Sequence, residues 1–83
     1  MEDNIVMEVW LVSYCDWGQH MIFSSLDSAL YFVGQELEDS ERTEDTEKAL
    51  EKLHEMKQNQ QKYSQYDTIE IHDYWIEKTY VYR

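Results

Sequence analysis

Carboxylates are concentrated in the middle of the chain, where they could form a patterned negative surface. The twelve residues from Glu36 to Glu47 contain seven carboxylates and one arginine, and Glu51 continues the series. Carboxylates spaced along a helix and its leading loop can imitate the phosphates of a duplex and occupy a basic nucleic-acid-binding groove. The alternative is a solvated helix face that keeps a small protein soluble. The carboxylates predicted to bind a partner are Glu36, Glu38, Asp39, Glu41, Glu44, Asp45, Glu47 and Glu51.

The histidines and the single cysteine are the other residues that could do chemistry. Cys15 and His20 flank a predicted turn, whereas His54 and His72 lie far along the chain, and no pair has the spacing typical of structural zinc. A thiol nucleophile would need a base, an orienting carboxylate and a glycine-rich oxyanion loop, and no such loop is present. The phosphate-binding glycine motifs are also missing. We therefore expect no enzymatic activity, no metal site and no cofactor.

Aromatic residues form a second candidate surface. The chain has 3 Trp, 7 Tyr and 2 Phe, more rings than one face of a three-stranded sheet can bury. Exposed Trp and Tyr side chains are common anchors in interfaces, and Trp17, at the tip of a predicted hairpin, is expected to fill a pocket of the partner. Self-association through the sheet is the alternative. The residues predicted to carry it are Tyr74, Trp75, Tyr80 and Tyr82.

The net charge of −11, from 18 acidic and 7 basic residues, is unevenly distributed. Residues 1–55 carry the whole excess, because residues 56–83 contain four residues of each sign. A field of this sign repels nucleic acid and anionic membranes and attracts basic protein surfaces. We expect the partner to be a basic protein, and we expect no direct contact with nucleic acid or membrane.

Length and cysteine content place the chain in a broad class. Eighty-three residues are enough for a single domain, residues 1–83. A lone thiol is typical of a reducing compartment. The acidic N-terminus has no basic region typical of a signal peptide, and no apolar run reaches the ~20 residues that span a bilayer. These features predict a cytoplasmic protein.

The first half of the chain predicts a hairpin followed by a helix. Ile5–Tyr14 is rich in β-branched and aromatic residues, which favours a central strand. Residues 16–19 supply a turn with Gly18, and residues 20–23 form a short second strand. Apolar residues then recur at helical spacing from Leu26 to Glu38. Gly34 lies inside this helix, where close packing on the sheet would compensate for its low helix propensity.

The second half predicts another helix and a strand region. Thr43 is a suitable N-cap for a helix that continues to about Lys62, and Glu44 and Lys48 are spaced for an ion pair. The alternation of residues 66–83 slips by one at His72-Asp73, which favours one long, bulged strand over a tight turn between two strands. The predicted fold is α+β, with the order ββααβ, a three-stranded antiparallel sheet and two helices on one face.

Some of these residues follow a recurring pattern. Val9–Tyr14 is a hydrophobic strand that ends in Tyr, Gly18 follows in the turn, Phe23–Ala29 opens a helix, and Tyr66–Ile71 forms a closing strand. In this pattern the chain resembles small acidic intracellular proteins of phages and mobile elements with a ββα(α)β build. The resemblance covers residues 9–33 and 66–72. The acidic second helix and the longer last strand depart from it.

The resemblance implies a function, because small phage proteins of this build often inhibit host nucleases, glycosylases or CRISPR effectors by mimicking DNA. The leading hypothesis is accordingly a phage-encoded inhibitor of the anti-restriction or anti-CRISPR kind that acts in the host cytoplasm. One alternative is an immunity or antitoxin-type protein that neutralises a basic toxin. Another is a structural homodimer that uses its aromatic sheet face. The sequence leaves the identity of the target open.

Overall fold

The computed structural model describes residues 5–16, 18 and 20–82, with only the backbone of residues 5, 6 and 82. The fold is α+β, with a four-stranded antiparallel sheet in the order β2-β1-β4-β3 and two main helices. The elements are β1 (Ile5–Tyr14), β2 (Met21–Phe23), α1 (Leu26–Asp39), α2 (Glu44–Gln58), a short α3 (Gln60–Tyr63), β3 (Thr68–Ile71) and β4 (Tyr74–Tyr82).

The two long strands form the centre of the sheet. β1 pairs with β4 from Tyr14 opposite Tyr74 to Ile5 opposite Tyr82, with a register shift between Ile5 and Met7. β2 pairs with β1 only at residues 10–12, and β3 pairs with β4 only at residues 74–77. The outer ends of β1 and β4 therefore extend beyond the short strands as a two-stranded ribbon.

The last part of the chain is a hairpin and not a single strand. Ile71 and Tyr74 are directly opposite each other in the sheet, so His72 and Asp73 form a two-residue turn. The prediction of three strands with one long, bulged last strand was wrong, and the alternative of a tight turn between two strands is confirmed. His72 has a φ of 55°, the left-handed conformation that such turns require.

Replacing His72 with glycine should stabilise the protein. A side chain at positive φ costs about 1 kcal/mol, whereas glycine adopts this conformation freely. We expect His72→Gly to raise the free energy of unfolding by about 0.5 kcal/mol in urea denaturation. Asp73→Gly is the matched control, because Asp73 does not have a positive φ, and it should lower the free energy of unfolding. A loss of stability in His72→Gly would contradict this interpretation of the turn.

Helix α1 begins where the sequence predicts and ends one residue later. Its N-cap is Ser25, whose side chain accepts a hydrogen bond from the backbone N–H of Ser28. Ser24 and Asp27 have the spacing of a capping box, which predicts a cap at Ser24, but the structure places the cap one residue later. The buried residues recur at helical spacing: Leu26, Ala29, Leu30, Val33, Gly34 and Leu37.

Helix α2 has the predicted N-cap but is shorter than predicted. The side chain of Thr43 accepts a hydrogen bond from the Thr46 N–H, and Thr46 Oγ1 accepts one from the Thr43 N–H, which forms a capping box. The helix ends at Gln58, and Asn59 separates it from α3, so the predicted continuous helix to Lys62 was wrong. No helix in the described part of the chain is long and apolar enough to cross a membrane.

The core lies between the helices and one face of the sheet. β1 contributes Trp10 and Val12 to it, and β4 contributes Tyr74 and Ile76. α1 contacts β1 and β2, and α2 contacts β3. Gly34 packs tightly against α2, because an added Cβ would lie 2.9 Å from Leu53 Cδ2 of that helix. The predicted reason for this glycine, close packing on the sheet, was therefore wrong.

Candidate functional site

Three carboxylates form a row along the side of α2 that faces away from the core. Glu44, Glu47 and Glu51 are three and four residues apart, which places them on one side of the helix. All three side chains are exposed, and we call them the carboxylate row. The buried residues occupy the opposite side of the helix: Thr46, Ala49, Leu53 and Met56.

The charge density along this helix approaches that of a nucleic-acid strand. Asp45 flanks the row and is also exposed, so four carboxylates lie between Glu44 and Glu51. At a rise of 1.5 Å per residue this segment is about 10 Å long, which gives roughly one carboxylate per 3 Å of axis. A single strand of B-DNA carries one phosphate per ~3.4 Å. The spacing therefore permits charge mimicry.

Three further carboxylates lie on the segment that leads into α2. Glu38 and Asp39 close α1, Glu41 belongs to the connection, and all three are exposed. The backbone of this connection is fixed by side-chain hydrogen bonds. Ser40 Oγ donates to the Glu36 carbonyl at 2.9 Å, and Thr46 Oγ1 donates to the Glu41 carbonyl at 3.3 Å. These bonds hold the carboxylates in place relative to the row.

The basic residues near these carboxylates do not neutralise them through ion pairs. Within the described residues, none of the eight carboxylates predicted to bind a partner forms an ion pair, and the predicted pair of Glu44 and Lys48 is not made. Lys52 points elsewhere, with Nζ 3.8 Å from Glu55 Oε1 and 3.5 Å from the Tyr63 hydroxyl. The exposed carboxylates therefore keep their charge available for a partner.

Glu36 differs from the other predicted partner-binding carboxylates, because its side chain makes a contact within the fold. It is half-buried and forms a side-chain hydrogen bond with Tyr74 of β4. Burial raises the pKa of Tyr74 to about 12, and the charge of Glu36 adds to this effect. Tyr14 packs against Tyr74 with ring centroids 4.7 Å apart. This carboxylate therefore joins α1 to the sheet.

A shallow groove of about 460 Å³ runs along the exposed side of α2. Four of its lining residues follow the spacing i, i+3, i+4 and i+7 from Glu47, which is visible in the sequence. Sequence reasoning nevertheless missed Leu50, and it considered His54 only as a metal ligand. The structure adds both to the candidate surface. The groove is lined by Arg42, Glu47, Leu50, Glu51 and His54.

The predicted aromatic residues do not form one surface. Tyr74 is 4% exposed and lies under the helices, whereas Trp75 projects from the opposite face of the sheet and donates a hydrogen bond to Glu70. Tyr80 is exposed on the ribbon. Trp17 and the side chain of Tyr82 lie outside the described residues. Self-association through all four sheet residues therefore requires Tyr74 to leave the core.

Cysteine and histidine residues are not brought together into a site. Cys15 is exposed, and desolvation together with Asp16 and Asp73 raises the pKa of its thiol, which disfavours the nucleophilic thiolate. His20 hydrogen-bonds to Ser13, and His54 to Gln58. Across the part of the chain that the structure describes, no group of three potential metal ligands is found.

The chain matches no protein-family model, and no curated protein or solved structure is significantly similar to it.

Proposed function

We propose that the protein is a non-enzymatic inhibitor whose acidic helical edge blocks the basic nucleic-acid-binding site of another protein. The edge comprises the carboxylate row together with Glu38, Asp39, Glu41 and Asp45. In this proposal the protein is phage-encoded and acts in the host cytoplasm on a nucleic-acid-handling enzyme. It acts as a DNA mimic, in the manner of anti-restriction and anti-CRISPR proteins.

The observation that carries the proposal is the set of seven exposed carboxylates without ion pairs among the described residues. Residues 36–51 hold eight carboxylates against two bases, Arg42 and Lys48, and neither base forms an ion pair with them. Here the capping box and the hydrogen bonds of the connection hold them on a rigid backbone. A fixed pattern of charge loses less entropy on binding than a mobile one.

The proposal is tested by removing the charge of the row. In the triple variant Glu44→Gln, Glu47→Gln, Glu51→Gln, the outward side of α2 keeps its shape but loses three charges. The tagged protein is used to capture a partner from bacterial lysate at low salt, and the partner's binding to duplex DNA is then measured with each variant as inhibitor. We expect the triple variant to inhibit about ten- to a hundredfold less well.

The matched control removes three exposed carboxylates elsewhere: Asp67→Asn, Asp73→Asn and Glu77→Gln. It has the same net charge as the triple variant and should retain inhibition. Rising salt and added duplex DNA should both release the partner, because both compete with the carboxylates. Equal loss of inhibition in the two triple variants would show that only net charge matters. Inhibition that is insensitive to salt and DNA would contradict mimicry.

The same capture experiment separates the alternatives. A small basic toxin on the column would favour an immunity or antitoxin role that uses the same carboxylates. Recovery of the protein alone, together with a doubled mass in sedimentation, would favour a structural homodimer.

A further inference from the structure

The two edges of the sheet are protected to different degrees. β3 exposes Thr68 and the charged Glu70 at its edge and lies in contact with α2. β2 pairs only with β1 among the described strands, and it exposes Met21 and Ile22 without a charged residue. An edge strand presents free backbone N–H and C=O groups, and charged side chains normally guard it. β2 is therefore the edge that has no charged side chain to prevent pairing with another strand.

Exposed apolar residues lie on both faces of the sheet at this edge, with Ile22 on the face away from the helices and Tyr31 on helix α1. Ile22 and Tyr31 are 67% and 60% exposed, the two most exposed large apolar side chains in the described residues. Phe23 of β2 packs against Phe32 of α1 with ring centroids 5.2 Å apart. Next to this pair lies a hollow of about 460 Å³. The hollow is lined by Phe23, Asp27, Ser28, Tyr31, Phe32 and Gln35.

The charge around this surface is negative. Residues 20–43, which form β2, α1 and the connection after it, contain five carboxylates and one base, Arg42. Asp27 lies in the lining of the hollow and accepts a hydrogen bond from the neutral amide of Gln60. Lys57 of α2 reaches the margin of the hollow, with Nζ 5.7 Å from the centroid of the Tyr31 ring. Two bases, Arg42 and Lys57, against five carboxylates leave the surface negative.

We propose that the outer edge of β2 and the adjoining hollow on α1 bind an extended basic peptide segment, which adds to the sheet as a fifth strand. Backbone hydrogen bonds to β2 would hold the segment. Because strand side chains alternate between faces, every second residue, a lysine or arginine, would extend its aliphatic stem over Phe23 and Phe32, and the intervening apolar residues would pack toward Ile22. Lysine or arginine residues would face Asp27 and the carboxylates at the end of α1.

Charge favours a basic peptide over a second copy of the chain. Pairing of two β2 edges around a two-fold axis would bring the same surface of each copy together. Two copies paired in this way would bring surfaces of the same negative charge together, which is repulsive. The proposal shares Glu38, Asp39 and Glu41 with the proposed acidic edge, but its strand edge and hollow lie outside α2, so Tyr31→Ala tests it separately from the carboxylate row.

The test uses a fluorescein-labelled peptide in which lysine alternates with valine and phenylalanine, and fluorescence anisotropy measures its Kd for the full chain. Two comparison peptides carry the same residues in scrambled order or N-methyl groups on alternate backbone nitrogens. We expect the alternating peptide to bind about tenfold more tightly than either, because only it combines period-two side chains with free N–H groups. Amide exchange of residues 21–23 should slow on binding.

Tyr31→Ala should raise the Kd about tenfold, whereas Tyr66→Ala, which removes a similarly exposed tyrosine elsewhere, should change it by less than about twofold. Equal binding of the scrambled peptide would overturn the proposal in favour of unspecific attraction to a negative protein. An unchanged Kd for the N-methylated peptide would exclude strand addition. A concentration-dependent dimer that Ile22→Lys abolishes would assign the edge to a second copy instead.

Discussion

Leu53→Ala is expected to lower the free energy of unfolding by about 3 kcal/mol, within the range of 2–5 kcal/mol measured for buried leucines. Leu53 is 2% exposed, and its Cδ2 atom packs against Gly34 of α1. Removing this side chain leaves a cavity between the two helices. The rest of the fold holds both helices in place, so they cannot easily move together to fill it. An 83-residue domain has a total stability of about 4–12 kcal/mol. The expected loss is therefore a large part of the total free energy of unfolding.

Leu50→Ala is the matched control for this prediction. Leu50 is on the same helix, one turn earlier, but it is half-buried in the groove, so its truncation should cost about 1 kcal/mol or less. Urea denaturation followed by circular dichroism measures both values. A loss in Leu53→Ala no larger than in Leu50→Ala would show that α2 is not held by the helix contact. The carboxylate row depends on that contact, since α2 carries it.

The hairpin of β3 and β4 shows why the strand count could not be obtained from alternation alone. In a two-residue turn the flanking residues, Ile71 and Tyr74, are directly paired and face the same side of the sheet. They are three residues apart, so the alternation slips by one, as it does at a bulge. The usual signal of such a turn is Asn-Gly or Asp-Gly. Here His72 adopts the positive φ instead.

The helix starts were predictable because their causes are local. Thr43 caps α2 through a residue three positions away, and Leu26 follows a serine cap. The role of Gly34 was not predictable, because it depends on Leu53 of another helix. Within the candidate surface, exposure of the carboxylate row follows from helical spacing. The half-buried position of Glu36 does not follow from helical spacing. Its partner Tyr74 is 38 residues further along the chain, and only the fold brings the two together.

The contact of Glu36 with Tyr74 makes the stability of the protein depend on pH in the alkaline range. Burial raises the pKa of Tyr74 to about 12 from the ordinary value of 10.0. As the pH rises above 10, the unfolded chain releases the phenolic proton before the folded chain does. The contribution of the neutral phenol is therefore complete below pH 10 and is lost as the pH approaches 12. We expect a loss of up to about 2 kcal/mol over this range.

Tyr74→Phe isolates this contribution, because phenylalanine has no proton to lose. At neutral pH the variant should be less stable than the wild type by about 1 kcal/mol, since Glu36 loses its hydrogen-bond donor. The difference should shrink above pH 10 and reverse before pH 12. Urea denaturation at intervals from pH 8 to pH 11.5 measures it, with Tyr80→Phe on the exposed ribbon as the control. A difference that stays constant across this range would mean that Tyr74 ionises as readily in the folded chain as in the unfolded one.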